Sequence, residues 1–274
     1  MPRRGFTVVE LLVVVAIVGL LIGVLVPTLS AARATAQASA CLANMRTMST
    51  ASLAYSSDHG GDLIDVGLPH GSAGVASNEA GSFITTLSGY TKTSIARHCP
   101  TDKSALWPIE EGGDVDIHVQ PPPTYRKTSY GMSNFLSAAF PFPDPDHPPA
   151  REVFHAREGE TSYKRDRVSK PSLVIQFLEM TDDGDYATSD HVHLEDLYNP
   201  GLAPDYYPIV AATMMKIDRH GGRAPTGVNA QPTPKAAESK ANYTFLDGSA
   251  RTLPFKEAFA SPTVNMFDPR LTQR

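Results

Sequence analysis

The sequence predicts an α+β fold, with one long N-terminal α-helix packed on an antiparallel β-sheet that has long loops. Three observations carry this reading. A run of 21 mostly apolar residues opens the chain at Phe6–Val26. A stretch without Gly or Pro follows it over Thr28–Tyr55. Beyond that, short segments of β-type composition are separated by turn-rich connections, with 23 Pro and 20 Gly in 274 residues.

The first segment has the length of a membrane span. A helix of this length covers roughly 30 Å at about 1.5 Å per residue, the thickness of a bilayer's hydrocarbon core. Arg3 and Arg4 precede it, and Arg33 is the only charge in a long stretch after it. The positive-inside tendency then puts the N-terminus in the cytoplasm and the bulk of the chain outside. A cleaved signal peptide fits poorly, because the apolar run is longer than such peptides carry and continues into Pro27–Arg33 without a convincing break. A twin-arginine export signal at Arg3-Arg4 leaves Glu10 unexplained. A carboxylate inside a membrane helix is costly and points to function. Gly19-Leu-Leu-Ile-Gly23 is a small-xxx-small pattern, read either as a close-approach surface or as the ordinary glycine content of membrane helices. Pro27 predicts a kink.

The helix then continues outside the membrane. Cys41, Met45, Met48, Ser52 and Tyr55 recur at helical spacing, with Ala38 and Leu42 widening the same face. This is a core-facing stripe. Asp58-His59-Gly60-Gly61 stops the helix, giving one element over residues 6–57 with a membrane-spanning part at 6–26. Residues 58–274 form the globular head. Within it, Ser172–Met180 reads as a buried strand, Thr128–Leu136 as its neighbour and Met214–Asp218 as a weaker strand. Asn242–Leu246 and Ala250–Phe255 flank Asp247-Gly248, a tight-hairpin signal. A short helix is expected around Asn78–Gly89, and surface loops over Pro141–Pro149 and Ala224–Lys240.

Gly5-Phe6-Thr7-Val8-Val9-Glu10 and the apolar run resemble the N-terminus of type IV prepilins and type II secretion pseudopilins. The resemblance implies a pilin-like fold and a leader of residues 1–5. It implies a prepilin peptidase that cuts after Gly5 and methylates Phe6. It also implies assembly with other pseudopilin subunits into a homo- or hetero-filament, Glu10 pairing with a neighbour's Phe6 amine. The physics agrees, since a carboxylate in low dielectric needs a positive partner. A second resemblance joins Arg219-His220-Gly-Gly-Arg223 to Ala241–Gly248. A group of bacterial pseudopilin-like proteins has nine residues between a His and an Asp-Gly, and removing Ala224–Lys240 restores that spacing. Cys99-Pro100-Thr-Asp102 and Ser129-Tyr130-Gly131 are similar to further patterns of this group. The expectation for His220, Asp247 and Gly248 is a packed sheet edge, with His220 hydrogen-bonded and Asp247-Gly248 forming the turn.

Cys41 and Cys99 either pair, closing a loop of about 58 residues in a compartment that sustains disulfides, or stay as two buried thiols. Thr181–Asp185 and Asp190–Asp196 gather carboxylates and imidazoles, but without EF-hand spacing, and a solvated acidic loop is expected there. With no nucleophile elbow, metalloprotease, phosphate-loop or C-x-x-C pattern, no catalytic residue, metal or cofactor is expected. Net charge of −5 without a basic block argues against nucleic acid. The functional expectation is a non-enzymatic pseudopilin-like structural subunit in the inner membrane, with its head extracytoplasmic, in type II-like secretion. The alternative is a monomeric binding protein or enzyme that uses the same anchor.

Overall fold

A computed structural model describes residues 7–68, 79–91, 97–120, 123–137, 164–227 and 230–271. The expected loop at Pro141–Pro149 lies outside them, as do Gly5 and Phe6. Helix α1 spans Val8–Asp58 as one 51-residue element that runs through Pro27. Proline removes one helical donor at this point. The Thr28 hydroxyl donates to the carbonyls of Val24 and Leu25 in the preceding turn, at 3.2 and 2.8 Å.

The two halves of α1 differ in what they touch. Its apolar window near the N-terminus is wholly unburied. Burial begins at Cys41 and continues through Met45, Met48, Ser49, Ala51, Ser52 and Ser56. The expected stripe is therefore present but broader on its serine side, and Tyr55 is half-buried, stacked on His59. Small side chains here let strands approach the helix closely. Ser49 donates to the Phe245 carbonyl at 3.3 Å, and Gln176 donates to the Ser52 hydroxyl at 2.7 Å.

Those strands form the middle layer. Strand β1 (Tyr130–Ser133) pairs antiparallel with β2 (Phe177–Glu179), Gly131 opposite Leu178. On its other side β1 pairs with β3 (His191–Val192) in parallel, so this sheet is mixed. Strand β4 (Lys240–Thr244) and β5 (Ala250–Pro254) make the expected antiparallel hairpin, with Asn242 opposite Thr252. An antiparallel bridge at Ile175–Phe245 and the bonds Gln176 N–H to Thr244 O and Leu246 N–H to Val174 O join the hairpin to the run leading into β2. One face of this layer meets α1 and the short helix α2 (Phe83–Ser88) through Tyr130, Met132, Val174, Phe177 and Leu246. The other face, with Ile175, Leu178, Met180 and Tyr243, packs on helix α3 (Tyr207–Met214), helix α4 (Phe255–Ala258) and the following residues. Strand β6 (Phe259–Ser261) and β7 (Val264–Asn265) close that side. Being covered on both faces explains why the sequence around β2 is almost continuously apolar rather than alternating.

Three expectations change. The strand at Ser172–Met180 shortens because Pro171, which has no N–H for a ladder, opens a 3-10 turn over Pro171–Leu173. The strand at Met214–Asp218 is replaced by the C-terminus of α3, after which Met215 makes a single bridge to Met180. Pro208 in the first turn of α3, where a missing N–H costs nothing, was the available signal. Of the expected solvated acidic loop, Asp183 and Asp185 are exposed, whereas in Asp190–Asp196 Asp190 and His191 are fully buried.

Candidate functional site

The N-terminal site is built on the first turn of α1. Thr7 is the N-cap, and its hydroxyl accepts from the Glu10 N–H at 3.3 Å. The Glu10 carboxylate reaches back to accept from the Thr7 N–H and hydroxyl, each at 2.8 Å. Two otherwise orphaned helix donors are thereby satisfied reciprocally. Thr7-x-x-Glu10 is thus a capping box, a pattern legible in the sequence and missed there. No described residue covers the segment that follows. Added Cβ atoms at Gly19 and Gly23 would meet nothing within 4 Å. This is the one described helix long and apolar enough to cross a membrane.

The C-terminal residues do not converge. His220 follows a turn after α3, and its N–H bonds to the Lys240 carbonyl at 2.9 Å, while the Lys240 N–H returns to Gly221 O at 2.7 Å. The loop between them therefore leaves and rejoins the fold at one point, beside the open end of the β4–β5 hairpin. Asp247 and Gly248 lie at its closed end, roughly 20 Å away by strand rise. There Asp247 accepts from the Ser249 N–H at 2.9 Å, and Gly248 adopts φ +90°. A Cβ on Gly248 would come within 2.7 Å of Leu53 on α1. The turn thus rests directly on the helix.

His220 belongs to a buried polar seam between α1 and the middle layer. Its Nε2–H donates to Glu179 Oε1 at 2.8 Å, and Glu179 Oε2 accepts from the Asn242 N–H at 2.9 Å. The Arg219 guanidinium lies 3.9 Å from Glu179 and donates to Asp182 at 2.6 Å and to the Met180 carbonyl at 2.8 Å. Beneath it, Arg126 pairs with Asp102 at 2.8 Å and donates to the carbonyls of Thr181 and Ala187. Asp102 also accepts from Ser129 at 2.6 Å, and the Ser129 hydroxyl accepts from the Cys99 N–H. Burial by itself would raise the Asp102 carboxyl, but Arg126, Arg219 and the Ser129 and Ser104 hydrogen bonds hold it down at about 2. Of this seam the sequence flagged Cys99, Asp102, Ser129, Arg219 and His220. Glu179, a lone carboxylate at the end of an apolar strand, was a usable signal for a buried partner, whereas Arg126 carried none.

Cys41 of α1 and Cys99 form a disulfide across 58 residues at the end of the seam. It fastens the Cys99-Pro100 segment to the helix at the level where burial of α1 begins. Both sulfurs, one Glu179 oxygen and one His220 nitrogen lie within 4.8 Å of one another. The residues flagged at 181–196 are separately engaged. Asp190 accepts from the N–H groups of Gly67 and Leu68 and from the Ser82 hydroxyl, and Glu195 bonds His193 and Asn134. These contacts tie loops to β3.

Comparison of the whole chain with curated proteins and with solved structures gives no significant match. Residues 1–26 match the prokaryotic N-terminal methylation motif, so the chain carries, on the free end of α1, the segment that marks a prepilin-like precursor.

Proposed function

We propose that this protein is a pseudopilin-like structural subunit, cut after Gly5 by a prepilin peptidase and methylated on Phe6. In this reading α1 anchors it in the inner membrane, N-terminus inside and head outside, and then packs with other pilin-like subunits into a pseudopilus or related filament serving type II-like secretion. The observation that carries the reading is the methylation motif placed at the start of an apolar half-helix that no described residue covers, with Glu10 in the first turn. A helix that is apolar all round needs lipid or other helices as its surroundings. Gly19 and Gly23, with open space beside them, suit close helix–helix approach. The head supplies rigidity, since α1 is gripped from Cys41 onward by the sheet and the disulfide.

Intact-mass and N-terminal analysis of protein from its native host tests the processing. The expected species begins at N-methyl-Phe6. A species starting at Met1, or one starting beyond Val26, overturns the reading. Correct processing without cross-links to neighbouring subunits would instead identify a monomeric protein that uses the anchor alone.

A further inference from the structure

We propose that Cys41, Cys99, Glu179 and His220 form a tetrahedral divalent-metal centre of the zinc type whenever the Cys41–Cys99 bond is reduced. Among the described residues, these four are the set whose donor atoms converge, all within 4.8 Å of one another. They arrive from four separate parts of the chain: α1, the Cys99-Pro100 segment, the end of β2 and the turn after α3. Two thiolates, an imidazole and a carboxylate are the donor types that Zn²⁺ accepts in four-coordinate sites.

The surroundings are those of a supported centre. Thr101 donates its hydroxyl to Cys99 Sγ at 3.0 Å, and the Asn242 N–H holds the Glu179 oxygen turned away from His220. Such outer hydrogen bonds orient ligands and tune their basicity. Two thiolates and a carboxylate around a dication leave one negative charge. Arg219, whose side chain is 1% exposed, stands 3.9 Å from Glu179, and its Nε and Nη1 find no hydrogen-bond partner among the described residues. This buried guanidinium, shared with Asp182, lies beside the four ligands and offsets part of that charge. The Nε2–H···Oε1 contact between His220 and Glu179 gives way to the metal, the imidazole proton moving to Nδ1.

The chemistry is an exchange between two fastenings. An external dithiol donates two electrons and two protons to the Cys41–Cys99 bond, yielding two thiols while the donor becomes a disulfide. The metal then displaces both thiol protons. An external disulfide reverses this: it takes two electrons from the two thiolates and becomes a dithiol, the Cys41–Cys99 bond re-forms and the ion is released. Crosslink and metal are mutually exclusive, and either one ties the Cys99 segment to the spine of the molecule.

The test uses the full chain in detergent, with Co²⁺ as a spectroscopic probe, before and after anaerobic reduction and removal of the reductant. The expected result is one equivalent bound by the reduced protein only, with sulfur-to-cobalt charge-transfer bands, intense tetrahedral d–d bands and displacement by Zn²⁺. H220A and E179Q should each weaken binding by about 10-fold or more. Folded reduced protein that gives no thiolate–cobalt spectrum overturns the proposal. So does a spectrum and affinity unchanged in both variants, which would mean that the cysteines alone hold the ion. If reduction unfolds the head, Zn²⁺ must restore its circular dichroism, and failure to do so equally sinks it.

Discussion

At Glu10 the structure adds a role to the one the sequence suggested. Its carboxylate caps its own helix through Thr7. In the proposed filament the same oxygens would have to serve a neighbour's Phe6 amine as well as the cap. Glu10→Ala should leave membrane fractionation unchanged and abolish cross-links to neighbouring subunits; undiminished cross-linking would place assembly elsewhere. In the seam, Asp102 and Arg126 have fully buried side chains and are mutually dependent. Asp102→Ala strands a buried guanidinium, and the expected loss is about 3–5 kcal/mol in the urea midpoint analysis. The same pair sets an acid limit. The Asp102 carboxyl sits at about 2 when folded, against 3.8 ordinarily. Its stabilising contribution is therefore fully present above pH about 4 and disappears as pH falls toward 2. A stability profile across that window should show the loss in the native protein and a flatter slope in Asp102→Asn. Gly131 is constrained by neighbours rather than by φ, since a Cβ there would lie 2.2 Å from Met180 Sδ and 3.2 Å from the Asp190 carbonyl carbon. It holds the central strand against both flanks.

At the scale of elements, the hairpin and the disulfide are the two clamps on α1. The β4–β5 turn touches Leu53 through Gly248, whose φ of +90° disfavours a side chain. Gly248→Ala should cost about 1–2 kcal/mol from backbone conformation alone, with further loss from the contact, measured by thermal unfolding. A Gly248→Ala protein as stable as the parent would show that the turn is not held against the helix. The disulfide closes a 58-residue separation, and on the chain-entropy model it contributes about 4 kcal/mol. Denaturant curves with and without reductant, in chelator so that no metal substitutes for the bond, should differ by that order. The sequence read both clamps differently. Asp-Gly between two apolar segments directly encodes a hairpin. Pairing of the cysteines depends on folding together α1 and a segment 58 residues away, and the sequence left it open.

Across the whole molecule, the division of labour follows the burial of α1: an uncovered apolar half, then a half clasped by a layered head. Much of this was legible in the sequence because it rests on local periodicity. Length and hydropathy marked the span, and helical spacing marked the stripe from Cys41 to Tyr55. Gly5, Phe6 and Glu10 marked the methylation motif that residues 1–26 match. The parallel pairing of β3 with β1 and the burial of Asp190 were not legible. Each depends on partners far away in the chain, and the burial of a carboxylate runs against the local composition. The same holds for the seam. Asp102, Arg126, Glu179, Arg219 and His220 are scattered over more than a hundred residues, and only the packing of the middle layer against α1 brings their charges together. Sequence alone therefore marked what the N-terminus is, since an apolar helix and its methylation motif are written in consecutive residues. The tertiary structure alone decided what surrounds Cys41, Cys99, Glu179 and His220, because a buried charge finds its counter-charge through space and not along the chain.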